Sequence, residues 1–360
     1  MKKNILLIML LILTMVIAGC TSDNPKVDED SKPQENIVEE QGQEQEDKLD
    51  FQGRTMNVVT TSEKYSELFD AFAEEVNAKV EFLSMSSGEV IARVEAEGGK
   101  PMADLWFGGG LDAFMAAKDS GLLEQYVPKE VDKIDSRFVD SENYWISKGL
   151  TVVGFLVNEE YLQEKNLEVP TTWTDLADPK YKDEIIMSNP AISGTNYGAV
   201  KGILDMMGEE KGWEYLEKLN ENIPFYGKRG KDPEEKVVAG EFAIGIVPAD
   251  KASFDVAEKN NLTVVYPEDG IPWVPEGVAI FKGGDGVDIA KAFIDFMLRD
   301  ENQKKLSELD GKDSAQMIKE GIEGYDLGLP EDKLIDQDIS TFGTMRESIL
   351  SRWEELTKGK

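Results

Sequence analysis

Residues 56–110, "MNVVTTSEKYSELFDAFAEEVNAKVEFLSMSSGEVIARVEAEGGKPMADLWFGGG", decide the fold. Three short apolar runs, 56–61, 78–85 and 102–110, read as strands. Between the first two, Tyr65, Leu68, Phe69, Phe72 and Val76 recur on one face of a predicted helix. A second helix is predicted over 88–98. Strand–helix–strand alternation at this spacing points to the α/β class, a parallel sheet with helices on both faces. Trp106, Phe107 and the aromatics of the first helix are expected to be core. In such sheets ligands bind at the carboxyl ends of strands, where loops enter the next helices, so the loops carry the candidate site.

The first strand leads into Thr60-Thr61-Ser62-Glu63, the second into Ser84-Met85-Ser86-Ser87-Gly88, and the third into Gly108-Gly109-Gly110. Each loop brings hydroxyls or bare backbone N–H groups to a helix start. One such loop is an ordinary N-cap. Three from adjacent strands suggest a shared rim that accepts an anion. Residues 189–200, "NPAISGTNYGAV", repeat the chemistry, with Ser193, Gly194, Thr195 and Asn196 at another predicted helix start.

The amino end sets the compartment. Lys2 and Lys3 precede an apolar run from Ile5 to Ile17, followed by small residues and Cys20. That pattern is a secretory signal, and the run is shorter than the roughly 20 residues a membrane span requires. Cys20 is the only cysteine, so the exported fold has no intrachain disulfide and rests on an ordinary core. Residues 21–50 are dominated by Asp, Glu, Gln, Ser and Pro, and are expected to form a disordered acidic tether.

Composition excludes several functions. With 39 Lys and Arg against 71 Asp and Glu, the net charge is −32, which repels nucleic acid. There is no histidine, which removes Ser-His-Asp triads, Cys-His pairs and His-ligated zinc. No GxxxxGK[ST] loop is present either. Carboxylate-pair and Ser-Lys chemistry remain open, but catalysis is disfavoured.

Ile17-Ala18-Gly19-Cys20 resembles the lipobox of bacterial lipoproteins, with isoleucine where leucine is usual. The resemblance implies cleavage before Cys20 and its lipidation. Residues 86–126, 152–165, 169–197, 235–250, 266–284 and 290–308 together, in that order, resemble an extracellular solute-binding protein of an ABC importer. The branch is the one handling ferric iron, sugar phosphates and phosphonates. It implies a type II periplasmic-binding-protein fold, with two α/β lobes and a ligand cleft between them. Each lobe would hold a mixed, mostly parallel sheet flanked by helices. The implied organisation is a signal peptide over 1–19, then lipidated Cys20 and tether over 20–53. Lobe one takes 54–148 plus 268–308, and lobe two 149–267 plus 309–360. Implied partners are a small anionic solute, a permease with its ATPase, and the membrane through Cys20. A monomer without cofactor, on the outer face of the cell membrane, is expected.

For the ligand, iron-binding members of this branch use tyrosine phenolates shortly after the strand matching "FAIGI" (242–246). Here Val247 to Phe254 contains no tyrosine, and Tyr65, Tyr144, Tyr197 and Tyr226 are scattered. The preferred ligand is a sugar phosphate or an aminoethylphosphonate-like solute. Thr61, Ser62, Ser86, Ser87, Gly88 and Gly109 would hold its anionic end from lobe one. Ser193, Gly194, Thr195 and Asn196 would do so from lobe two. Asp250, Glu268 and Asp269 would face the polar remainder, with Trp273 as a wall. Lys228, Arg229 and Lys231 either add positive charge or form an exposed turn, and the parts of Trp145 and Tyr226 stay open. Ferric iron is the alternative ligand; a surface phosphate-ester enzyme or an adhesin or sensor lipoprotein are further alternatives.

Overall fold

The computed structural model describes residues 49–360; the leader, Cys20 and most of the tether lie outside the described residues. Strands β1 (Thr55–Thr60), β2 (Lys79–Ser84) and β3 (Leu105–Gly110) alternate with helices α1 (Ser66–Glu75), α2 (Ser87–Ala96) and α3 (Leu111–Asp119). These bounds fall within three residues of the expected ones. β1 pairs in parallel with both β2 and β3. Alternate residues of a strand face opposite sides of the sheet, and β3 uses both. Phe107 meets Phe69 of α1 edge-on at 5.5 Å, while Trp106 stacks on Phe114 of α3 at 4.0 Å. Both rings are core, as expected. β2 lies at the sheet edge and leaves Phe82 and Leu83 exposed.

The remaining strands are β4 (Leu123–Glu124), β5 (Ile146–Val157), β6 (Ile185–Ile186), β7 (Ile244–Pro248), β8 (Thr263–Val265) and β9 (Trp273–Phe281). The longer helices continue as α4 (Gly194–Met207), α5 (Glu209–Asn222), α6 (Lys251–Asn260), α7 (Val287–Met297), α8 (Asp300–Asp310) and α9 (Arg346–Leu356). The strand path is β2-β1-β3-β9-β5-β7-β6, with β4 on β9 and β8 on β5. β5 is twelve buried residues long and serves both lobes. Residues 146–152 pair with β9, and residues 153–157 pair with β7. The sheets are mixed, but less parallel than the alternation implies. Only β1–β2, β1–β3 and β6–β7 are parallel, because the crossing strands β5 and β9 run antiparallel to every neighbour.

Two principal cores flank this crossing. One gathers β1, β3, β9, α1 and α7, including Leu105, Phe107, Phe293 and Ile318. The other gathers β5, β7, α4 and α5, including Phe155, Trp173, Ile203 and Trp213. The C-terminal stretch touches both: Ile318 belongs to the first, and Phe342, Ile349 and Trp353 to the second.

Candidate ligand-binding cleft

The carboxyl ends of β1, β2 and β3 open onto a cavity of about 620 Å³. Thr61, Ser62, Ser86, Ser87 and Gly109 line it from the first lobe; Ser193, Gly194 and Thr195 line it from the second. α2 starts at Ser87 and α4 at Gly194, so two helix amino ends reach this cavity from opposite lobes. Unpaired N–H groups and the helix dipole make such ends favourable to anions. Ser193 is the N-cap of α4, and its Oγ accepts from the Asn196 backbone N–H at 3.3 Å and from Asn196 Nδ2 at 3.1 Å. Its own hydroxyl proton stays available for a ligand. Ser86 is committed to its own helix, since its N–H and its hydroxyl both donate to Glu89.

The walls meet through glycines. A Cβ on Gly88 would lie 2.2 Å from the Ala191 carbonyl oxygen, and one on Gly194 would lie 2.6 Å from the Gly110 nitrogen. Here the glycines matter for close backbone approach between lobes. Gly88 is thus a contact point rather than a lining residue, and Asn196 is buried behind Ser193.

Several expected residues lie away from this cavity. Asp250 caps α6 by accepting from the Ser253 N–H at 3.1 Å. Glu268 is exposed, with its N–H donating to Thr171. Asp269 caps the short helix Trp173–Leu176, accepting from Trp173 N at 2.9 Å and Thr174 N at 3.2 Å. Asp269→Ala is expected to cost about 1 kcal/mol of stability and leave ligand affinity unchanged, as thermal melts and titration would read. Trp273 packs in the first core and donates to the Ile335 carbonyl. With Leu150 it faces a second, larger cavity of about 1490 Å³. The neighbouring Thr151 and Val274 face the cleft instead. Arg229 and Lys231 stand at the cleft, where Arg229 is 70% exposed and paired with Asp232 and Glu235. Trp145 and Tyr226 do not line it, and no tyrosine does among the described residues.

Thr151 and Glu276 line the cleft without having been expected there. Beneath them lies a buried charge network. Lys148, fully buried, reaches Glu276 and Asp310, each at 2.5 Å. Lys312 donates to Thr151 at 3.0 Å, and Thr151 donates to Glu276 at 2.8 Å. Tyr65 and Lys64 close the network on Asp310. Burial opposes ionisation of Glu276, but the ammonium groups of Lys148 and Lys312 outweigh it and hold its pKa down to about 2. Asp310 is likewise held well below the usual carboxylate range against its burial, by Lys148 and Lys64. Asp250 moves the other way, pushed up by burial despite Lys312 and Lys64. One signal in the sequence does point to this network: Lys148 and Glu276 are each the only charged residue in a long apolar strand.

The family profile of bacterial extracellular solute-binding proteins matches residues 100–320. The chain belongs to that family. This solute-binding protein is 32% identical over 300 residues to an uncharacterized protein of Haemophilus influenzae, covering 80% of this chain and 86% of that one. It superposes on the periplasmic binding protein AfuA of Actinobacillus pleuropneumoniae, solved with exogenous fructose-6-phosphate bound, with TM-score 0.78 and 30% identity. That match covers 86% of this chain and 99% of AfuA. The periplasmic binding protein P5PA gives TM-score 0.77 at 26% identity, covering 85% of this chain and 100% of its own. Solved ferric-iron-binding proteins, at 20% identity or less, share the fold alone. The type II fold and a place in ABC-importer transport outside the cytoplasmic membrane follow. The role of this solute-binding protein is binding rather than catalysis.

Proposed function

We propose that this protein captures a small phosphorylated or phosphonate-bearing organic solute in the cleft and delivers it to an ABC permease. The carrying observation is the convergence of the amino ends of α2 and α4, with Ser87, Ser193 and Thr195, on one cavity. Neutral donors aimed from both lobes hold an anion in a water-poor cleft without a full counter-charge. The ionised Glu276 and the Thr151 hydroxyl offer the other end of the ligand acceptors for hydroxyl or ammonium groups. The likeness to AfuA with fructose-6-phosphate supports this reading. The lobes are taken as 54–148 plus 268–308 and 149–267 plus 309–360, closing as a hinge about β5 and β9. The working form is a monomer, anchored through lipidated Cys20.

Thermal-shift titration with fructose 6-phosphate, 2-aminoethylphosphonate and ferric citrate tests the reading. Stabilisation by a phosphorylated or phosphonate compound is expected; stabilisation by ferric citrate alone would replace this reading with iron transport. The double variant Ser193→Ala/Thr195→Ala removes two hydroxyl donors to a charged group. At about 1.5–3 kcal/mol for such bonds, affinity for the stabilising compound is expected to fall at least ~10-fold. Unchanged affinity would remove these residues from the site.

A further inference from the structure

Outside the cleft, one buried ion pair joins the supports of its two walls. Asp112 sits in the first turn of α3, directly after the Gly109–Gly110 end that lines the cleft. Its side chain is 3% exposed, and its Oδ2 accepts from Arg346 Nε at 2.8 Å. The other oxygen, Oδ1, has no protein partner. Arg346 opens α9, whose Ile349 and Trp353 belong to the second core. The chain just before it is fixed to α4, because the Tyr197 hydroxyl donates to the Phe342 carbonyl at 2.7 Å. On the same seam Met115 of α3 packs against Gly343, whose N–H donates to Met115 Sδ at 3.1 Å. A Cβ on Gly343 would lie 2.3 Å from that of Met115.

We propose that Arg346 is a positioning residue for ligand capture. Paired with Asp112, it ties the Gly109–Gly110 wall to the Ser193–Thr195 wall and cancels a buried carboxylate that would otherwise have no counter-charge behind an anion site. The inference rests on the reading of the cleft as an anion clamp. It assigns the C-terminal helix, 234 residues from Asp112, a part in the affinity of a cleft it does not line. Burial pushes the Asp112 carboxyl up to about 6, against the opposing pull of Arg346. The other titratable group facing it is Tyr197 of α4. With Arg346 gone, Asp112 would titrate higher still, so the anion opposing the ligand appears as pH rises.

The test is calorimetric titration of the full chain with fructose 6-phosphate at pH 6.0 and 8.5, for wild type, Arg346→Met, Arg346→Lys and Asp112→Asn/Arg346→Met. Arg346→Met is expected to bind about 10-fold more weakly than wild type at the higher pH and to approach it at the lower. Comparing each variant with wild type at the same pH removes the ligand's own titration. Arg346→Lys should restore most of the affinity, and the double variant should remove the pH dependence. A loss equal at both pH values, or affinity within about twofold of wild type throughout, would overturn the proposal. If wild type does not bind fructose 6-phosphate, the proposed function loses its probe, and the tie is still read in the ligand-free protein. Amide exchange across residues 341–346 should then be faster in Arg346→Met, and an unchanged exchange rate would overturn it.

Discussion

Gly194→Val is expected to abolish tight ligand binding while leaving the ligand-free protein folded. A Cβ at this position would lie 2.6 Å from the Gly110 nitrogen and 2.7 Å from its Cα. Both are backbone atoms of the opposite wall, so no side chain can rotate aside. Ordinary contact begins near 3.4 Å, so the walls must part by roughly 0.8 Å. Gly194 does not have positive φ, so a side chain there meets no intrinsic backbone strain. The penalty therefore falls on the approach of the two walls. Lobes that hinge can relieve the clash by opening, at the expense of hydrogen bonds to the ligand from one wall. A loss of about 100-fold in affinity is expected, with a melting temperature of the ligand-free protein close to wild type. Gly88→Ala is the independent companion, since its Cβ would meet the Ala191 carbonyl oxygen at 2.2 Å. Wild-type affinity in both variants would mean that this contact is no part of ligand capture.

The second large effect is on stability. Lys148→Met removes the ammonium group that separates Glu276 from Asp310 while leaving both carboxylates buried. Removing one partner of a buried ion pair costs about 3–5 kcal/mol, because the remaining charge is left uncompensated. Lys64 and Lys312 stay, which places the expected loss at the lower end of that range. The pH dependence gives a sharper check. In the wild type Glu276 and Asp310 have depressed pKa values, so their contribution to stability is complete above the unfolded carboxylate pKa. It fades as pH falls toward about 2, the value for Glu276. In Lys148→Met the two carboxylates lose their shared counter-charge in a buried site, and their pKa values rise from the depressed wild-type ones. Less of the variant's stability is then tied to ionised carboxylates, so it loses less than wild type as pH falls from 7 to 3. Urea denaturation at those two pH values measures it. A variant that loses stability in step with wild type on acidification would contradict this account of the network.

These effects mark what was legible in the sequence. The strand–helix alternation of 56–110 and its loops were readable because hydrophobic periodicity and helix-start chemistry are local properties. The loops carrying Ser62, Ser86–Ser87 and Gly109 do reach one cavity, together with Ser193–Thr195 from the second lobe. Asp269 and Trp273 were harder. An acidic residue in a loop is equally suited to capping a helix, and Asp269 caps one. Trp273 lies on a crossing strand, where a one-residue step decides which face a side chain takes. It faces away from the cleft, and Val274 faces into it. Thr151, Glu276 and the lysines beneath them depend on pairings between residues more than 100 positions apart, which no local pattern encodes. The isolated charge within each apolar strand was the available sign. A side chain that must be buried with its charge demands a partner, and here Lys148 and Glu276 are partners to each other.

In the proposed function, hydroxyls and helix ends from both lobes close on one phosphoryl group. A crystal structure of the protein grown with fructose 6-phosphate tests it most directly. Phosphoryl oxygens are expected within hydrogen-bonding distance of both Ser87 and the Ser193–Thr195 turn, with the sugar hydroxyls toward Thr151 and Glu276. A phosphoryl group held only by Arg229 and Lys231 at the rim, or a cleft that binds ferric ion and leaves the sugar phosphate in solution, would contradict it.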